Sequence, residues 1–380
     1  MNKTFLYIIL ISHSLSKLIK TSYTITDGKM WTSIALGVPT NTLHKPISLN
    51  SHYSIITDRS YNKTKSKTSS HKTYKMIYYG SKEINAEVIC EVAPSAANNF
   101  SVLKYCFYYI IDSDLIFNSI EKFGFAFSPY DKELSLIHQL KKNNEIEHLA
   151  FSFVPYDDNE GALYFGGINS IKDQYQFNCS VVDAVTSWSC AMNYVFIEGK
   201  KINVYSNILF SLFDTNEQFI LAPDDFMRFF LSLLKEEGAN CDYISGDFSG
   251  FFDCDENAIH IMKSISFQFD TRIEFPIKEM FYCTFKRCKS YIKYNINSHT
   301  KWIFGTVFLK RFNSLFDYED KRVTLYSSLD VFKSPYKVND NGEIIQSKLN
   351  YTKYFYIMIS IISTMMTVML LTQKCFIYYK

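Results

Sequence analysis

The chain has 380 residues, 47% of them hydrophobic, which is enough for two domains with sizeable cores. Its formal net charge of +2 supplies no global field for nucleic acid, so nucleic acid is not an expected partner. Aromatic residues are plentiful, with 28 Tyr and 33 Phe, whereas Gly and Pro are few, at 13 and 8.

Residues 1–16 carry a basic Lys3, the apolar run Phe5 to Ile11, and small residues at Ser12, Ser14 and Ser16. That order predicts a secretory signal peptide cut after Ser16. Trp31 to Gly37 alternates as a strand does, and Gly37-Val38-Pro39 reads as a turn. Ile47 to Ile56 is a strand–turn–strand candidate. Arg59 to Lys75 has six basic residues, many Ser and Thr, and almost nothing apolar, which predicts a solvated, mobile loop.

Met76 to Glu91 resumes β patterning around a turn at Tyr78-Tyr79-Gly80, and Tyr105 to Ile111 is strongly β-prone. Glu133 to Lys142 is the clearest helix of the first half. Leu149 to Val154 and Ala162 to Gly167 read as strands joined by the polar turn Asp157 to Gly161. In the second half, Phe210 to Phe213 delivers Asp214 at a strand end. Thr215, Asn216 and Glu217 then make a polar turn, and Phe219 to Ala222 leads to Pro223 and a helix over Phe226 to Lys235. Asp224 and Asp225 near that helix start suit its dipole. Many short strands, with few helices, predict a mostly β fold.

Residues 334–353 are polar and read as a stalk. Tyr354 to Leu371 is free of charge and long enough to span a bilayer as a helix. Tyr351, Tyr354 and Tyr356 sit where an interfacial belt lies, and Lys374 and Lys380 follow in a short tail, 373–380. The expected location is the secretory pathway, with a lumenal or extracellular ectodomain and one membrane span at 354–372. A cleaved lipid-anchor signal is the alternative for that tail.

The chain has nine Cys. In an oxidising compartment the eight before the span suit four bridges, leaving Cys375 on the far side. Sequence neighbours suggest Cys90 with Cys106 and Cys179 with Cys190; Cys241, Cys254, Cys283 and Cys288 pair among themselves in an order that spacing leaves open. No Cys or His spacing matches a zinc site, and no cofactor is expected. Acceptor triplets for N-linked sugar start at Asn62, Asn99, Asn178 and Asn350.

Four stretches together resemble the pepsin-like aspartic proteases. They are Phe127 to Leu140 followed by Leu149 to Gly167, then Trp188 to Lys200, Leu212 to Phe226, and Lys301 to Leu325. The resemblance covers residues 28 to 330 and implies a bilobal β fold, with lobes at 27–187 and 188–333. It implies a cleft between the lobes that holds an extended peptide or protein segment. In that family each lobe gives one Asp from an Asp-Thr/Ser-Gly loop, and the two carboxyls share one proton.

Matched position by position, Asp214-Thr215 is similar to the second Asp-Thr, with Asn216 in the Gly place and Glu217 in the Thr/Ser place. Leu49-Asn50-Ser51-His52-Tyr53 falls on the first loop, so Asn50 stands for the first Asp and His52 for the Gly. Tyr79-Gly80-Ser81 resembles the turn of the flap that covers the cleft. Ile120 to Ala126 keeps only the apolar–Gly core of its segment, and Thr306 replaces an Asp. An amide cannot act as acid or base, so the resemblance implies a non-catalytic homologue in which Asp214 is the remaining family Asp. Thr215, Tyr79 and Gly80 are the expected peptide-contact residues. The alternative is an active aspartic endopeptidase using Asp214 with an unusual partner: His52 as a replacement base, or Asp58 by a shifted match.

Overall fold

The structure is a computed structural model. It describes residues 18–327 apart from 80–81, 95–101, 112–119, 128–131, 170–174, 183–186, 203–208, 246–249, 262–263, 285–286 and 296–300, together with 337–338 and 344–345. The expected signal segment 1–16, nearly all of the stalk and the span Tyr354 to Leu371 lie outside the described residues. Among the described residues no helix is long and apolar enough to cross a membrane.

Strands dominate, as the short alternating runs predict. A nine-stranded sheet runs Tyr175–Ser180, Arg322–Ser327, Asn313–Asp317, Ala150–Pro155, Glu160–Phe165, Ile19–Thr26, Lys29–Leu36, Asn41–Ser48 and Phe123–Gly124. Early and late segments of the chain thus share one sheet, with Phe153 opposite Ser314 and Phe151 opposite Phe316. A four-stranded sheet joins Ile55–Thr57, Val102–Ile110, Lys82–Pro94 and Ser70–Tyr79. An eight-stranded sheet uses residues between Ser189 and Phe304, and a second four-stranded sheet lies between Tyr194 and Pro276.

The aromatic richness of the sequence is spent where these sheets meet. Phe151 and Phe316 stack at 4.9 Å, and Trp188 packs against Phe127, Phe151, Phe316 and Tyr318. Trp302 packs against Phe226 and Phe267. Both Trp side chains are fully buried. Burying an aromatic side chain removes 150–250 Å² from water, so roughly 4–6 kcal/mol of hydrophobic stabilisation attends each one. The Trp188 Nε1–H also donates to Phe125 O at 2.7 Å, which satisfies its one polar atom.

Two helices match their sequence signals closely. Leu136–Lys142 buries Leu136, Ile137, Gln139 and Leu140 on one face. Asp224–Glu236 buries Phe226, Met227, Phe230 and Leu234, at helical spacing, with Asp224 and Asp225 in its first turn.

The segment Arg59 to Lys75 differs from the mobile loop expected of its composition. Tyr61 is buried, Lys63–Lys65 forms a short 3-10 helix capped by Asn62, and the strand Ser70–Tyr79 begins inside the segment. The reason is three carboxylates supplied from outside it. Glu121 accepts from Ser60 and from the Thr57 hydroxyl and backbone N–H. Glu91 accepts from Tyr61 and Thr68, and Glu87 pairs with Lys63 and His71. Basic and hydroxyl residues that look solvated in the sequence are therefore partners of acids on other segments of the chain.

Four disulfides form: Cys90–Cys106, Cys179–Cys190, Cys241–Cys254 and Cys283–Cys288. The first two are the expected neighbours, and the structure resolves the order of the other four. Cys241 lies opposite Cys254, Cys254 opposite Cys288, and Cys288 opposite Cys283. The four thus form one row across adjacent antiparallel strands. Asn62 is exposed at its cap, whereas Asn178 lies within a strand and its amide oxygen accepts from Gln176 and Thr324. Asn99 and Asn350 lie outside the described residues.

Candidate functional site

The site is built by one local motif used twice. Asn41–Ser48 pairs in parallel with Phe123–Gly124, Ile47 opposite Phe123 and Ser48 opposite Gly124. Leu209–Phe213 pairs in parallel with Lys301–Phe304, Leu212 opposite Ile303 and Phe213 opposite Phe304. Each first strand runs out into a turn carrying a polar residue, Asn50 in one case and Asp214 in the other. The first of these partner strands ends in Gly124 and the second is followed by Gly305, and each Gly lies against the corresponding turn.

Those two Gly are required by contact. A Cβ at Gly124 would lie 2.2 Å from Tyr53 O and 2.5 Å from Ser51 O; at Gly305 it would lie 2.4 Å from Glu217 O and 2.4 Å from Phe219 O. Backbone bonds hold the same contact. Phe125 N–H donates to Ser48 O and Ala126 N–H to Ser51 O, both at 2.8 Å. Gly305 N–H donates to Phe219 O at 3.1 Å and Thr306 N–H to Glu217 O at 2.7 Å.

The two turns meet. Asn50 Nδ2 donates to Asp214 Oδ2 at 2.6 Å, and the other carboxylate oxygen accepts from the Asn216 N–H at 2.8 Å. Leu49 and Phe213, immediately before them, are fully buried and fix both turns in the core. Thr215 is fully buried, and its hydroxyl donates to Ile47 O at 2.7 Å. Its carbonyl accepts from the Met30 N–H at 2.9 Å. Ser51, the counterpart of Thr215, does not reciprocate: its hydroxyl donates to Tyr53 O within its own turn. Thr306 donates to Gly28 O at 2.9 Å, a further tie between the two halves of the chain. Burial pushes the Asp214 carboxyl above its ordinary pKa, with Glu217 adding to the shift; the Asn216 N–H and the Asn50 amide oppose it.

A model of the eukaryotic aspartyl protease family matches residues 48–327. The chain belongs to that family. It is also similar to gastricsin of Macaca fuscata fuscata, 26% identical over 170 residues, which cover 43% of this chain and 42% of that protein. The match thus spans less than half the length of this curated relative.

As an aspartyl-protease chain, it brings Asn50, Asp214 and Thr215 to one point. Tyr79 ends the strand Ser70–Tyr79 opposite Lys82, while Gly80 lies outside the described residues. His52 packs edge-on to Tyr53 at 4.7 Å. Asp58 donates its backbone N–H to Ile110 O at 3.1 Å, at the far end of the strand Ile55–Thr57. The contact with Asp214 is made by Asn50.

Sequence reasoning missed most of the wall around this point. A cavity of about 440 Å³ is lined by Asn50, Asp214 and Asn216 together with Lys29, Trp31, Lys45, Glu121 and Lys122. Lys122 directly precedes the apolar run Phe123 to Phe127, and the sequence reading assigned it no role. Lys29 and Lys45 carried no signal, since only the register of the strands Lys29–Leu36 and Asn41–Ser48 brings them to the cleft.

Proposed function

We propose that this aspartyl-protease homologue binds extended peptide segments in the cleft between two β lobes and does not cleave them. The single observation that carries the reading is the 2.6 Å bond from Asn50 Nδ2 to Asp214 Oδ2. Family chemistry needs two carboxyls that share a proton, one to activate water and one to polarise the scissile carbonyl. Here the partner of the carboxylate is an amide. It donates a hydrogen bond and can neither give up nor accept a proton at working pH. Asp214 then serves as a half-buried acceptor for Asn50 and the Asn216 N–H, and Thr215 serves as a tie between the lobes. Peptide backbone is held by strand-like contacts beneath the strand pair Ser70–Tyr79 and Lys82–Pro94.

The protein works in the secretory pathway, anchored by one C-terminal span. Its four disulfides and its apolar Tyr354 to Leu371 segment support that placement.

The test uses the full chain at acid pH with a mixed peptide library, with and without a statine-type inhibitor, and repeats it with Asp214→Ala. Expected is peptide retention without cleavage products. Inhibitor-sensitive cleavage that disappears in Asp214→Ala would overturn the proposal in favour of an active endopeptidase.

A further inference from the structure

Asn50 is followed by Ser51. An Asn before a small residue carries a reaction of its own. The backbone nitrogen of the next residue can close a five-membered ring on the side-chain amide carbon, and its tethering gives that attack the advantage of proximity.

The turn leaves the reacting atoms available. Asn50 lies just past the strand Asn41–Ser48 and is exposed to water. The Ser51 hydroxyl donates to Tyr53 O at 2.9 Å, and the Ser51 carbonyl accepts from the Ala126 N–H at 2.8 Å. The Ser51 N–H, in contrast, donates to no group among the described residues. The leaving nitrogen is also in place, since Asn50 Nδ2 lies 2.6 Å from Asp214 Oδ2. The carboxyl that holds this nitrogen is positioned to hand it a proton as it departs. Burial raises the Asp214 pKa, which favours the protonated form that such a transfer needs.

The same dipeptide occurs at Asn313-Ser314, inside the strand Asn313–Asp317. There Ser314 is fully buried and paired on both sides, opposite Leu325 and opposite Phe153. Strand pairing holds that backbone extended, so it serves as an internal reference.

We infer that Asn50 is a deamidation site, and that its conversion to Asp rebuilds the two-carboxyl site in a chain made without one. The inference rests on the reading of Asn50 as the residue that blocks cleavage. Ser51 N bonds to Asn50 Cγ, the Cγ–Nδ2 bond breaks, and Nδ2 leaves as ammonia with one proton gained for the one lost from Ser51 N. Water then opens the cyclic imide, its hydroxyl going to Cγ and its hydrogen back to Ser51 N. The sum is amide plus water to carboxylic acid plus ammonia, with no change of oxidation state. The new carboxyl stands beside Asp214, where the pair shares one proton.

The experiment ages the purified full chain for weeks at mildly acid pH, where a shared proton keeps the new pair from repelling. Peptide mass spectrometry follows conversion at Asn50 and at Asn313. Cleavage of a mixed peptide library at acid pH, with and without a statine-type inhibitor, follows activity. Asn50→Gln keeps an amide whose ring closure is slow, and Asn50→Asp supplies the end product directly; circular dichroism checks that both fold. Conversion at Asn50 is expected to run at least about tenfold faster than at Asn313. Inhibitor-sensitive cleavage should rise from nothing in proportion to it, stay absent in aged Asn50→Gln, and be present from the start in Asn50→Asp. Conversion no faster than at Asn313, conversion without activity, or equal activity in aged Asn50→Gln overturns the inference and leaves the non-catalytic reading of the fresh chain standing. Inhibitor-sensitive cleavage by fresh chain that still carries the amide overturns both.

Discussion

Asn50→Asp is the sharpest perturbation of this site. Asn50 Nδ2 lies 2.6 Å from Asp214 Oδ2. Replacing the amide nitrogen by oxygen turns a donor–acceptor contact into one between two carboxyl oxygens. A proton held between them restores the hydrogen bond. With both ionised, charge centres roughly 4 Å apart repel by about 4 kcal/mol at an effective dielectric of about 20. That corresponds to about three pKa units on the second ionisation. In the unfolded chain both carboxyls titrate near the ordinary Asp value of about 3.9.

The folded pKa is therefore raised. Its stabilisation is fully present below about pH 3.9 and is lost as pH rises through the folded value, at about 1.4 kcal/mol per pH unit. Wild-type Asp214 is already shifted upward and has the same sign, so the comparison is between the two chains at each pH. Asn50→Asp is expected to match wild type near pH 4 and to be about 4 kcal/mol less stable near pH 7. Urea unfolding from pH 4 to 8 measures this, read by the fluorescence of the buried Trp188 and Trp302. A stability difference that does not change with pH would refute the reasoning, because it would mean that the two side chains do not share a site.

Thr215→Val keeps shape and removes the hydroxyl that donates to Ile47 O, leaving a buried carbonyl without that donor. A loss of about 1–3 kcal/mol is expected in chemical unfolding. Gly124→Ala and Gly305→Ala each drive a Cβ into backbone oxygens at 2.2 to 2.4 Å, which cannot move aside as a flexible side chain can. Each should cost about 3 kcal/mol or more and sharply reduce the yield of folded protein, scored by immunoblot of the soluble or detergent-extracted fraction. Acid stability should run opposite to the Asn50→Asp effect. Burial alone would raise Glu87, Glu91 and Glu121, but Lys63 and His71, then Thr68 and Tyr61, then Lys45 and Ser60 outweigh it and hold all three below the ordinary range. Lowered carboxyls stabilise above their unfolded pKa of about 4.3, and that contribution is lost as pH falls through the folded values. Limited proteolysis between pH 6 and 2 should therefore show residues 59–75 cut first, below about pH 4. Cleavage there that is equally fast at pH 6 would contradict the role given to these carboxylates.

Much was legible in local pattern. The strands around Trp31, Tyr105 and Phe151 and the helices at 136–142 and 224–236 follow from alternation, helical spacing and acidic residues at a helix start. The Asp214 turn and the Gly in the apolar core at 120–126, which supports the Asn50 turn, were also readable. Two disulfides followed from neighbourhood along the chain. The order of the remaining four Cys did not, since Cys254 lies opposite both Cys241 and Cys288 and sequence alone does not say which strands adjoin. Residues 59–75 were misleading for a related reason. Their composition is that of a solvated loop, yet their partners Glu87, Glu91 and Glu121 lie on other segments.

The sequence by itself determined the family pattern and the identity of the residue opposite Asp214, because covalent order and residue type suffice for both. Tertiary structure decided what that residue does and what surrounds it. Asn50 and Asp214 are 164 residues apart and meet only because two strand–turn–Gly motifs are packed against each other. The cationic wall of Lys29, Lys45 and Lys122 arises the same way. Lys29 and Lys45 are ordinary polar residues on two adjacent strands, Lys122 lies just before a third, and only the pairing of these segments brings the three to one cavity. Strand periodicity is local and can be read along the chain; a cleft is the sum of registers between distant segments, and its charge exists only once they are assembled.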